Sequence, residues 1–76
     1  MARHYTIFLT PEPEDGGYSV SVPALPGCHT QGETAEECIE RAKEAIALWI
    51  ASAIEDGEPI PEETEHPQAI IVSVVA

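Results

Sequence analysis

The stretch TAEECIERAKEAIALWIASAIEDG, residues 34–57, decides the fold. Within it Cys38, Ile39, Ala42, Ala45, Ile46, Trp49, Ile50 and Ala53 recur at helical spacing and, at about 3.6 residues per turn, project onto one broad arc. An arc of this kind faces a core, and Trp49 lies near its centre, so Trp49 is expected to be a core residue and not a binding one. Both ends carry stop signals. Thr34 followed by Glu37 is a capping box, Glu36 and Glu37 put negative charge at the positive end of the helix dipole, and Gly57 is placed to close the last turn. The spacing predicts a helix from Thr34 to Asp56. Strand and turn precede it, and a proline-punctuated loop and one more strand follow it.

Upstream, Tyr5, Ile7 and Leu9 alternate with His4, Thr6 and Phe8, the period-2 pattern of a strand with one buried face. Phe8 is the apolar exception on the outer side. Pro11 and Pro13 end the strand, and PEDGG over residues 13–17 supplies a turn with two glycines free to take positive φ. Tyr18, Val20 and Val22 then alternate with Ser19 and Ser21, so a second strand is expected to return antiparallel to the first. PALPG over residues 23–27 reverses the chain again, Cys28 to Gln31 form a short third strand, and Gly32 and Glu33 lead into the cap.

Downstream, residues 58–67 read EPIPEETEHP, three prolines and four glutamates, too polar and too broken for a core element. The segment AIIVSVVA, residues 69–76, is β-branched and apolar on both faces apart from Ser73, and is expected to be a fourth strand. One helix layer covers only one face of such a strand, so the second face is expected to be buried by another chain. The whole is an α+β, β-β-β-α-β domain: a three-stranded antiparallel meander and the C-terminal strand in one sheet, with one helix packed on one face. A single domain over residues 1–76 is expected, without a separate DNA-binding domain. A chain of 76 residues hides only about 60% of its unfolded surface. A homodimer or larger assembly is therefore expected, with Leu48, Ile71 and Val75 as the apolar residues that one small domain has no means of covering.

Fourteen acidic residues against three lysines and arginines give a formal net charge of −11. Binding to a phosphate backbone depends on Lys and Arg, so direct nucleic-acid binding is not expected and a basic protein partner is. The acidic row Glu36, Glu40 and Glu44, four residues apart on the outer face of the helix with Lys43 beside it, is one candidate surface. Glu12, Glu14 and Asp15 in the first turn are the other. Cys28 and His29 are neighbours in a strand and point to opposite faces, which keeps them from acting as a thiol and base pair. No zinc-like cysteine or histidine spacing, phosphate-cradling glycine loop or nucleophile elbow occurs, so neither catalysis nor a metal or cofactor is expected. The opening Met-Ala-Arg-His lacks an apolar signal region, and two cysteines make no disulfide framework; a cytoplasmic protein with reduced thiols and no membrane association is the expectation.

Three segments, DGGYSVSVPALPGC over residues 15–28, TQGETAEE over residues 30–37 and EDGEPIP over residues 55–61, give the chain a specific resemblance, spanning roughly Tyr5 to Pro61, to the HicB antitoxin family. The resemblance implies a partial RNase H-like fold with the same β-β-β-α-β order. It also implies a partner, the small basic HicA toxin, an mRNA-cleaving ribonuclease with a double-stranded-RNA-binding-like fold that HicB binds and silences. It does not imply nuclease activity, because true RNase H chemistry needs converging carboxylates around two metal ions, and the matched strands here carry Tyr, Ser, Val and Thr. HicB proteins often carry a C-terminal helix-turn-helix or ribbon-helix-helix segment, and none is read before Ala76. The alternatives are a stand-alone oligomeric protein-binding domain with another client and a degenerate RNase H-like nucleic-acid enzyme.

Overall fold

The computed structural model describes residues 2–76, with β1 (Phe8–Pro11), β2 (Tyr18–Ser21), β3 (His29–Gly32) and α1 (Ala35–Glu55) in chain order. The strands form one antiparallel sheet in the order β1-β2-β3, with Leu9 opposite Val20 and Val20 opposite Thr30. This is the expected meander with one helix. Its first reversal is closed by Glu12 N–H donating to the Gly17 carbonyl at 3.0 Å and Gly16 N–H donating to the Glu12 carbonyl at 2.8 Å. Gly16 and Gly17 take φ of 75° and 70°, the left-handed values for which the sequence supplied glycine. In the second reversal, Leu25 N–H reaches the Val22 carbonyl and Cys28 N–H the Leu25 carbonyl, each at 3.0 Å, which folds Leu25 inward until only 1% of it is exposed.

Helix α1 begins and ends where its caps lie. Thr34 Oγ1 accepts from Glu37 N–H at 3.1 Å, and the Glu37 carboxylate accepts in return from Glu33 N–H at 2.9 Å, one residue earlier than in the usual box. At the other end Gly57, with φ of 69°, allows Gly57 N–H to reach the Ile54 carbonyl and Glu58 N–H the Ala53 carbonyl, a Schellman closure.

The core lies between the helix and one face of the sheet. Val20, Cys38 and Ala42 are buried together with Leu9 and Tyr18 against them. Val22, Leu25 and Cys28 are buried beneath Tyr5, Ala45, Ile46 and Trp49. Ile7 packs against both groups and joins them into one layer. The helix presents small residues at closest approach, and the sheet answers with a glycine: a Cβ on Gly32 would lie 2.8 Å from Cys38 Sγ and 3.0 Å from its main-chain nitrogen. Trp49 covers the far end of the core as a half-buried lid, its indole N–H donating to the Pro26 carbonyl at 2.9 Å. Ile39, at the border of the apolar arc, is 45% exposed and adds little to the core.

Residues 57–76 contain neither helix nor strand, which corrects the expected fourth strand over residues 69–76 and leaves the order as β-β-β-α with an unpaired tail. The first part of this segment is held to the N-terminal residues. The Tyr5 hydroxyl donates to the Pro61 carbonyl at 2.7 Å, and Thr6 donates to the Glu63 carboxylate through its N–H at 2.9 Å and its hydroxyl at 2.5 Å. Beyond these anchors residues 64–76 are all exposed, Ile71 and Val75 completely. The physical reason is that α1 packs chiefly on β3 and β2, so a strand apolar on both faces finds no second layer within the chain. The Cα radius of gyration is 14.5 Å, against about 11 Å for a compact domain of this length, and the long dimension of 49 Å records the projecting tail.

Candidate protein-binding surface

The acidic candidates fall into two groups, apart from the acidic residues at the end of α1 and in the loop after it. Glu12 and Asp15, from the β1–β2 turn, line a depression with Glu33 and Glu37, from the β3–α1 junction. The turn reaches this junction because Tyr18 pairs with Gly32, and because Gly17 lies so close that a Cβ there would come 2.6 Å from the Gly32 carbonyl. Glu14 is exposed in the same turn. Glu33 and Glu37 were not among the candidates read from the sequence, where Glu37 is accounted for by capping. The pairing of Tyr18 with Gly32, with Gly17 against the Gly32 carbonyl, is what brings them beside Glu12 and Asp15. The hydrogen bond from Glu33 N–H fixes the Glu37 carboxylate, so one charge in the depression is held in place.

Glu36, Glu40 and Glu44 are exposed on α1, one above another by helical spacing, and none of them lines the depression. Glu40 has a cation within reach, the Lys43 ammonium at 3.7 Å. The apolar candidates are also at the surface, Leu48 on α1 at 73% exposure and Ile71 and Val75 in the tail. Between the N-terminal segment and α1 runs a groove lined by Arg3, His4, Tyr5, Lys43, Ile46, Ala47 and Ile50, with Arg3 paired to Glu62 at 3.7 Å.

Cys28 is buried while its neighbour His29 is exposed, and burial pushes the Cys28 thiol up from its ordinary pKa, which keeps it protonated at neutral pH. Among the described residues no three His, Cys, Asp or Glu side chains gather as a metal-holding group. Among the described residues the one strongly perturbed carboxylate is Glu63. Its hydrogen bond with His66, followed by those from the Thr6 hydroxyl and N–H, lowers its pKa from 4.5 to about 2. A carboxylate whose folded pKa is depressed contributes stability that is present above its unfolded pKa and lost as pH falls through the folded one. The clasp between residues 5–6 and 61–66 is therefore expected to weaken between about pH 4.5 and about pH 2. An NMR titration of the Glu63 carboxyl carbon and the Thr6 amide checks this, and a midpoint near 4.5 would show that the clasp does not hold in solution.

Fold and charge together define a small acidic α+β domain, three antiparallel strands backed by one helix, and no described helix is long and apolar enough to cross a membrane. The sequence profile of a family described as "HicB_like antitoxin of bacterial toxin-antitoxin system" matches residues 5–71. The chain belongs to the HicB-like antitoxin family. A UPF0150 protein of Synechocystis is 48% identical over 60 residues, covering 79% of this chain and 75% of that protein. A UPF0150 protein of Thermoplasma acidophilum is 49% identical over 59 residues, 78% of this chain and 84% of its own. Antitoxin HicB of Escherichia coli is 47% identical over 57 residues, which are 75% of this chain but only 41% of that longer protein.

Proposed function

We propose that this chain binds a small, basic, HicA-like mRNA-cleaving ribonuclease in the cytoplasm and holds it inactive, using the sheet-and-helix body of a partial RNase H-like fold. The observation that carries this reading is the family membership of a chain with net charge −11, whose candidate acidic side chains Glu36, Glu40 and Glu44, and Glu12, Glu14 and Asp15, are exposed on two separate surfaces. A basic toxin is drawn to such a surface over a distance of about one Debye length, roughly 8 Å at physiological salt. Charges at the rim of an interface act mainly on the rate of association. Two triple reversals separate the surfaces: Glu36, Glu40 and Glu44 to lysine on the helix, and Glu12, Glu14 and Asp15 to lysine in the first turn. The reversal that touches the toxin-facing surface is expected to slow capture about tenfold at low salt and to flatten its salt dependence, with little change in dissociation.

Stopped-flow binding to the product of the neighbouring gene, at two ionic strengths, makes the measurement. An on-rate unchanged by both reversals would remove charge steering. Failure of the unaltered chain to bind any neighbouring-gene product, or to relieve its toxicity on co-expression, would remove the antitoxin reading itself. A second reading is a stand-alone oligomeric domain with another protein client, since this chain spans 75% and 84% of the length of two UPF0150 relatives but 41% of antitoxin HicB of Escherichia coli. The same co-expression experiment separates the two.

A further inference from the structure

The C-terminal end of α1 breaks the charge preference that its N-terminal end obeys. A helix end of partial negative charge favours Lys, Arg or His, yet the last turn of α1 holds no basic residue. Glu55, Asp56 and Glu58 stand there instead. Among the described residues the ion pairs join Arg3 to Glu62, Lys43 to Glu40 and His66 to Glu63, so none of these three carboxylates is neutralised. The remaining arginine, Arg41, is about 22 Å back along the helix from Asp56. A local conflict left without compensation inside the chain is characteristic of a functional site.

The same end carries half of an indole. Trp49, Ser52, Ala53 and Asp56 follow one another at helical spacing and share a face of α1, and together with Glu58 they line a depression. Glu58 reaches it because Gly57, at φ of 69°, turns the chain back until Glu58 N–H meets the Ala53 carbonyl at 2.9 Å. The core role expected of Trp49 uses only part of its ring. That part rests on Val22, Leu25 and Cys28, and the bond from the indole N–H to the Pro26 carbonyl fixes the rest in place. Ser52, Asp56 and Glu58 are exposed, and Ala53 is buried between them. At about 200 Å³ the depression is smaller than the roughly 300 to 1,000 Å³ of small-molecule pockets, and it suits a single side chain.

We propose that this depression seats an arginine side chain of a protein partner, its guanidinium lying against the Trp49 indole and donating to the Asp56 and Glu58 carboxylates. An aromatic face attracts a cation, a planar guanidinium stacks on it, and the guanidinium fork matches carboxylate oxygens. The partial negative charge of the helix end acts in the same direction. Because the ring is already fixed and both carboxylates stand on a capped helix end, little order is lost when the arginine docks. The seat shares no residue with the depression of Glu12, Asp15, Glu33 and Glu37 or with the row of Glu36, Glu40 and Glu44. It rests on the proposed function for the identity of the partner, and on Trp49, Asp56 and Glu58 alone for the chemistry it accepts.

The test uses the full chain, whose single tryptophan reports on the seat by fluorescence. The peptide acetyl-Gly-Arg-Gly-amide at low salt is expected to shift the Trp49 indole N–H resonance and the fluorescence saturably, and to bind about threefold more tightly than its lysine counterpart. Asp56→Asn combined with Glu58→Gln is expected to weaken the peptide about tenfold and yet to unfold at a higher urea concentration, because it removes two charges from the unfavourable end of the helix dipole. Glu62→Gln combined with Glu65→Gln makes the same change in net charge within the following loop, and is expected to leave peptide affinity within about twofold. An indole that does not respond overturns the proposal, as do equal binding of the two peptides and equal weakening by the two pairs of substitutions. A paired Asp56 and Glu58 variant less stable than the parent also overturns it, since the carboxylates would then be holding the fold. From the neighbouring-gene product the same variant is expected to dissociate about tenfold faster. An unchanged dissociation rate, where the unaltered chain binds that product, overturns the seat as a partner contact. A product that does not bind at all removes the antitoxin reading, and the peptide then decides the seat by itself.

Discussion

Replacing Trp49 with alanine is expected to lower the unfolding free energy by about 3 kcal/mol, the low end of the range for a tryptophan truncated in a core. The low end applies because the ring is half-buried. Its loss uncovers Val22, Leu25 and Cys28 together, the group on which the indole and Tyr5 lie. A second, smaller contribution comes from the indole N–H that donates to the Pro26 carbonyl at 2.9 Å and fixes the loop between β2 and β3. Trp49→Phe keeps most of the cover and removes the donor, so it should cost about 1 kcal/mol. Urea unfolding of the two variants separates packing from hydrogen bonding. A loss below about 1 kcal/mol for the alanine variant would mean that the ring is not the lid described above. Small domains have only about 5 to 10 kcal/mol in total, so Trp49→Ala is expected to populate unfolded chain at temperatures where the parent is fully folded.

Gly32→Val is expected to be comparably damaging for the opposite reason. Even one added carbon at Gly32 meets Cys38 Sγ at 2.8 Å, its main-chain nitrogen at 3.0 Å and its Cα at 3.2 Å. The thiol can turn aside, but the helix backbone cannot, so the helix and β3 must separate. Overpacking of this kind costs about 1 to 3 kcal/mol, and valine lies toward the upper end. Cys38→Ala in the Gly32→Ala background removes the nearest atom and is expected to recover part of the loss, a coupling that a double-mutant cycle on thermal melts reads directly. A Gly32→Ala variant as stable as the parent would show that the helix stands further from the sheet than the geometry gives.

The parts of this fold that were legible in the sequence are those whose causes are local. Helix α1 spans Ala35–Glu55, bounded by Thr34 and Asp56, because the capping threonine and Gly57 act on their own neighbours. The meander follows from alternation and from glycines placed where positive φ is required. The inward face of residues 5–9 could also be read, but not that regular pairing begins only at Phe8. Just before it, Thr6 N–H is bonded to Glu63, a residue 57 positions away. The grouping of Glu33 and Glu37 with Glu12 and Asp15 was likewise beyond local pattern, because it depends on the register of Tyr18 with Gly32. The tail marks the other limit. Its composition states that both faces seek cover and is silent on which surface provides it.

The clasp that ties Tyr5 and Thr6 to Pro61 and Glu63 has a consequence in time. A ribosome makes Thr6 long before Glu63, and at roughly 5 to 20 residues per second the 57-residue interval corresponds to roughly 3 to 11 s. Throughout that interval the start of the chain has neither of its late partners. The N-terminal segment can therefore be clasped only after residues 61–63 have been made and have left the ribosome, so this contact closes late, after the strands of the meander.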